Sequence, residues 1–173
     1  MSKTKPIFRW RILLYIFIPL VILYLPLISY IPENQQKWFS ISARMSEYKI
    51  DLSSDEIHAS DSIISDQEMH DTILEMNALR EKKFLKEGIK IFFAEDSEIG
   101  DKTLKLLLSM DTVRDISVSN CHNISDEAFT GEISQNIETL GIIGCNVSQP
   151  VIDRLLLSHP NMKVFYTKKE LDD

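Results

Sequence analysis

The chain has 173 residues, and its 19 Lys plus Arg against 26 Asp plus Glu give a net charge of −7. Residues 1–11 carry Lys3, Lys5, Arg9 and Arg11 and no acid, residues 12–32 carry no charge, and residues 33–173 hold 15 basic and 26 acidic side chains, a net −11. So acidic a body excludes binding along a phosphate backbone, which needs clustered Lys and Arg, and its length fits one domain with its own core.

The first predicted element is the apolar block. Ile12 to Ile31 are twenty uncharged residues, which as a helix would span roughly 30 Å, the hydrocarbon thickness of a bilayer. The expectation is a signal-anchor and single-pass transmembrane helix over 12–32, attached through residues 12–31. A cleaved signal peptide has a shorter apolar run that closes at a small-x-small site, whereas Leu27-Ile28-Ser29-Tyr30-Ile31-Pro32 offers none. The four basic residues before the span predict a cytosolic N-terminal tip over 1–11 and a periplasmic, extracellular or lumenal C-terminal domain.

Residues 33–62 mix polar, Ser and acidic residues without sustained periodicity. They read as a stalk or linker with a short strand at Tyr48 to Leu52. Ser65 followed three residues later by Glu68 has the spacing of a capping box, and Met69, Ile73, Met76, Leu79 and Phe84 recur at helical spacing before Gly88. This predicts a helix from Asp66 to Glu87. The mixed charges of residues 80–87 read as a solvated helix face rather than a basic patch.

Beyond residue 90 the chain repeats. After one deletion, Val113, Ile116, Val118, Cys121, Ile124 and Ser125 match Ile137, Leu140, Ile142, Cys145, Val147 and Ser148, with an earlier copy at Ile91, Phe93, Asp96, Ile99 and Asp101, shifted by 25 residues from Ile116, Val118, Cys121, Ile124 and Asp126, and a truncated one from Met162 to Thr167. Helix-like pieces follow at Lys102 to Met110, Asp126 to Ile133 and Gln149 to Leu157. Residues 64–167 thus resemble leucine-rich repeats of the cysteine-containing subtype, whose units read roughly L-x-x-L-x-L-x-x-C-x-x-I-[ST]-D; the unit at 91 departs by placing Asp96 at the cysteine position. The resemblance implies an α/β fold, a short solenoid with a parallel strand ladder and outer helices, over residues 63–173. The Asp66 helix would cap it at the N-terminal end and the charged tail Lys168 to Asp173 at the other.

Cys121 and Cys145 are the only cysteines. Their equivalent repeat positions favour two buried free thiols, and one strand spacing of roughly 5 Å leaves a disulfide open. His58, His70, His122 and His159 lack metal-ligand spacing, and no phosphate loop or nucleophile elbow is present. The expectation is no metal, no cofactor, no small-molecule substrate, no nucleic acid and no enzymatic activity. Asn123-Ile-Ser125 and Asn146-Val-Ser148 are sequons that read first as turn and cap residues.

Outward residues of each strand alternate with the inward aliphatic ones, and across the units they are expected to form three rows: Lys90, Asp115, Thr139 and Val164; Phe92, Ser117, Gly141 and Tyr166; Ala94, Ser119 and Ile143. Lys90, Phe92, Asp115, Ser117, Thr139, Ile143 and Tyr166 are the candidate partner-binding residues on the concave face, because a mixed polar and aromatic face suits protein recognition. The expected function is a membrane-anchored, non-catalytic protein–protein interaction module with an unknown protein partner; the alternative is a structural or assembly subunit of a membrane protein complex.

Overall fold

The computed structural model describes residues 32–53, 55–85 and 87–167. Two compact units divide the chain, Met1–Lys37 and Trp38–Asp173. Of the first, the described part is 32–37, where the Gln35 and Gln36 amides donate to the Pro32 carbonyl and start a helix.

The second unit is α/β, and among the described residues its sheet has six strands in sequence order. Helix α1 is Glu33–Glu47, followed by β1 (Asp51–Leu52), β2 (Glu56–Ser60), α2 (Asp66–Glu81), β3 (Ile91–Glu95), α3 (Asp101–Ser109), β4 (Asp115–Ser119), a 3-10 turn (Asp126–Phe129), β5 (Thr139–Ile143), α4 (Gln149–Ser158) and β6 (Lys163–Thr167). Strands β2 to β6 pair in parallel, and β1 joins β2 antiparallel.

Three expectations are corrected. Among the described residues no helix is long and apolar enough to cross a membrane. Helix α1 is only 15 residues long and carries Glu33, Lys37, Arg44 and Glu47, whereas a span needs about 20 apolar residues. The structure therefore does not support a single-pass membrane chain with its domain on the far side of a bilayer. Of the expected span at 12–32 only Pro32 is described; residues 12–31, through which attachment was expected, and the tip at 1–11 lie outside the described residues.

Second, the expected parallel ladder is part of a larger mixed sheet, because β1, ahead of the repeats, turns back on β2. Third, residues 33–62 are no stalk: Ile41, Met45, Ile50, Ile57 and Ala59 are buried in the same core as the repeats. Ile57 and Ala59 alternate with Glu56, His58 and Ser60, the period-2 pattern of a half-buried strand. Helix α2 is thus not an end cap but the helix of a first strand–helix unit whose strand is β2. The tail proposed as the other cap, Lys168 to Asp173, lies outside the described residues.

Helix α2 begins as its sequence dictates, with the Ser65 hydroxyl accepting from the Glu68 amide at 3.3 Å. The Glu68 carboxylate does not return to close the capping box; it accepts from the Tyr48 hydroxyl at 2.9 Å, which holds the Tyr48 pKa above its usual value. The helix stops at Glu81, ahead of the expected Glu87, because Lys83 adopts φ 59°. The Lys83 amide donates to the Arg80 carbonyl and the Phe84 amide to the Leu79 carbonyl, the two bonds of a Schellman ending. In the following units α3 buries Leu104, Leu107 and Leu108, and α4 buries Val151, Ile152 and Leu155. The segment after Ser125 manages only one 3-10 turn, burying Ala128 and Phe129 before the poor helix formers Thr130 and Gly131.

Two polar ladders hold the units in register. Asp66 accepts from the Gly100 and Thr103 amides at 3.0 Å each. Asp101 accepts from the amide and hydroxyl of Ser125 at 2.7 Å each, and Asp126 does the same to Ser148 at 2.7 Å each. Asp66, Asp101 and Asp126, in Ile64-Ser65-Asp66, Ile99-Gly100-Asp101 and Ile124-Ser125-Asp126, thus each bind the start of the following unit's helical segment. At the strand exits, Asp61, Asp96, Asn120 and Gly144 take φ of 50°, 47°, 54° and 64°, and each donates its amide to the last carbonyl of the next strand. Asp, Asn and Gly are the residues that tolerate this left-handed conformation.

Candidate protein-interaction surface

Strand register decides which side chains face solvent. Phe92 pairs with Ile116, Ile116 with Leu140 and Leu140 with Val164, and Ala94, Val118, Ile142 and Tyr166 form the next inward row. The strands therefore repeat every 24 residues, whereas Ile99 to Ile124 and Asp101 to Asp126 are 25 apart. His122 and Asn123 separate Cys121 from Ile124, while Glu98 alone separates Ser97 from Ile99. That extra turn residue absorbs the difference. Because side chains alternate with period 2, a one-residue slip moves a whole strand to the other face.

Three candidate residues are corrected by this register. Phe92 is 1% exposed and lies in the core. Tyr166 is half-buried against the core, with its hydroxyl donating to the Val147 carbonyl at 2.9 Å. Lys90 precedes β3 and pairs with Glu87 and Asp55. Ala94 and Val164 also point inward rather than outward. Asp115, Ser117, Ser119, Thr139, Gly141 and Ile143 stand on the open face, and the residues missed there are Glu56, His58, Ser60, Ile91, Phe93, Glu95, Lys163, Phe165 and Thr167. Alternation counted outward from buried Ala59 or Ala94 is the signal that finds them.

The open face then has three rows. The first is Glu56, Ile91, Asp115, Thr139 and Lys163; the second is His58, Phe93, Ser117, Gly141 and Phe165; the third is Ser60, Glu95, Ser119, Ile143 and Thr167. In the middle row the His58 and Phe93 rings lie 5.9 Å apart between centroids, and His58 Nε2 is 3.5 Å from Glu56. Phe165 is 56% exposed and Ile143 41%. Between the two phenylalanines the floor is only Ser117 and Gly141, and a Cβ on Gly141 would sit 3.1 Å from the Ser117 hydroxyl. With strands about 4.8 Å apart, Phe93 and Phe165 bound a gap of about 14 Å.

Cys121 and Cys145 are free and buried. The Cys121 thiol lies 3.3 Å from the Ser97 hydroxyl, which puts Ser97, and not the expected Asp96, at the cysteine position of its unit. Burial pushes the Cys145 thiol up to about 11, so it is a poor nucleophile at neutral pH. Among the described residues no group of three His, Cys, Asp or Glu is placed to hold a metal ion. His159, expected in an exposed turn, is 9% exposed and sits between the Ser158 hydroxyl and the Ile133 carbonyl at 2.8 and 3.3 Å. Both sequons serve the turns: the Asn123 amide donates to Glu98, the Asn146 amide donates to the His122 carbonyl, and Ser125 and Ser148 are engaged by the aspartate ladder.

Comparison with protein-family models and with curated proteins finds no match for the chain.

Proposed function

We propose that residues 56–167 are a short array of leucine-rich-repeat type and that its function is non-catalytic recognition of a protein partner on the open sheet face. The observation that supports this reading is the corrected register. It leaves Ile143 and Phe165 exposed on the same face as the part-exposed Phe93, which stands beside His58, and exposed aromatic and aliphatic residues grouped on a surface mark interaction sites. Asp115, Thr139 and Lys163 supply the polar rim that such surfaces carry.

The test is a photo-crosslinking amino acid introduced at Phe165 or, as a control, at Leu157, which is 84% exposed on the outer helix α4. In the cell, the Phe165 probe is expected to give a discrete adduct and the Leu157 probe none. Equal labelling from both positions, or no adduct from Phe165, refutes the assignment of the open face.

A further inference from the structure

The charges around the open face are unevenly placed. At the strand entrances acids and bases mix: Lys90 pairs with Asp55 and Glu87, Arg114 donates to the Asn136 carbonyl, and Lys163 lies near Glu138 in the chain fold. At the strand exits the character differs. Asp61, Glu95 and Asp96 follow one another across the ends of β2 and β3 and are all exposed. The Asp61 amide donates to the Glu95 carbonyl, which sets their side by side placement. Among the described residues no hydrogen-bond or ion-pair partner holds any of these three carboxylates. The equivalent exits of β4 and β5 are neutral, with Ser119, Asn120, Ile143 and Gly144.

Next to this acidic corner, one row down, lies the gap floored by Ser117 and Gly141 between Phe93 and Phe165. We infer that the open face takes an extended, cationic-aliphatic peptide segment of its partner. In it, an Arg or Lys sits over Asp61, Glu95 and Asp96, and an aliphatic or aromatic side chain two positions away lies on Ser117 and Gly141. This rests on the open-face reading above and adds the chemistry of the partner. The spacing follows from strand geometry. The corner and the middle of the gap are about 12 Å apart, from two strand spacings of about 4.8 Å and two residues of about 3.3 Å, and residues i and i+2 of an extended peptide present their side chains on one face about 7 Å apart. The length of a Lys or Arg side chain spans the remainder. The charge placement selects the sign of the partner, since like charges brought against the corner are penalised, while the two phenylalanines provide the apolar contact.

The test is a random displayed heptapeptide library selected on the full chain at low salt, with Leu157→Ala as a control surface. The charge variant is Glu95→Gln with Asp96→Asn, which keeps the shape, and Asn is at home at the left-handed position of Asp96. The apolar variant is Phe165→Ala. The expected consensus places Arg or Lys two positions from Leu, Ile or Phe; affinity falls about fivefold in the charge variant and about tenfold or more in Phe165→Ala, with the control unchanged. A consensus that depends on Phe165 but lacks the basic residue, or is indifferent to the charge variant, overturns the partner chemistry and leaves the open-face reading standing. No enriched peptides, or peptides indifferent to Phe165→Ala, overturn both.

Discussion

Replacing Asp126 tests the ladder that ties one unit to the next. Its two carboxylate oxygens accept from the Ser148 amide and hydroxyl at 2.7 Å each, distances typical of bonds to an ionised acceptor. Such bonds contribute about 1.5–3 kcal/mol each when buried. Here both partners are half-buried, so water recovers part of the loss, and Asp126→Ala is expected to cost about 3 kcal/mol. Asp126→Asn keeps an acceptor for the amide and can donate to the Ser148 oxygen, but it loses the charge; about 1 kcal/mol is expected. In urea unfolding of the full chain the two variants should separate cleanly, and in thermal unfolding Asp126→Ala should lower Tm by about 6–12 °C, at 2–4 °C per kcal/mol for this size. The coupling between Asp126→Ala and Ser148→Ala in a double-mutant cycle should exceed about 1 kcal/mol. Additive effects, or equal losses for the Ala and Asn variants, would refute the claim that this carboxylate joins adjacent units.

The strand register predicts that Phe92→Ala costs about 3–5 kcal/mol in unfolding experiments, as for a buried aromatic, whereas Phe93→Ala costs less than about 1; reversed values would put the strand in the other register. Gly144 has φ 64°, and a Cβ there would approach the Asn120 side-chain oxygen at 2.4 Å, so Gly144→Ala should destabilise by about 1–3 kcal/mol, measured by the same assay. Because burial raises the Cys145 pKa from 9.0 to about 11, folding favours the protonated thiol. The stability from this group is complete below pH 9 and is lost as pH rises from 9 to 11. Native protein at pH 8 should therefore show negligible alkylation of Cys145 by iodoacetamide, with labelling appearing on unfolding; rapid labelling of the folded chain would contradict the burial.

Much of the repeat was legible because burial leaves a periodic trace. Ile116, Val118, Cys121 and Ile124 with Leu140, Ile142, Cys145 and Val147 announce two adjacent units, and all are buried. The caps are equally local: Ser65 names the start of α2 from its own side-chain chemistry. Strand β2 escaped notice because its inward pair, Ile57 and Ala59, is too short to stand out among acids and serines. The end of α2 escaped because Lys83, not glycine, takes the left-handed position. The open sheet face was the least legible, since its residues follow from a register that one extra residue in the 121–124 turn shifts by a full side.

By itself the sequence determined that the chain repeats, that aliphatic and cysteine residues fill the repeat core, and that the body is acidic. These are properties of composition and spacing, which each unit carries alone. Only the tertiary structure decided that β1 and β2 belong to the same sheet, that Ser97 occupies the cysteine position, and that Phe93 and Phe165 rather than Phe92 and Tyr166 meet solvent. Those outcomes depend on which residue of one strand lies beside which residue of the next, and hydrogen bonds between strands set that pairing across about 24 intervening residues, beyond the reach of any local pattern.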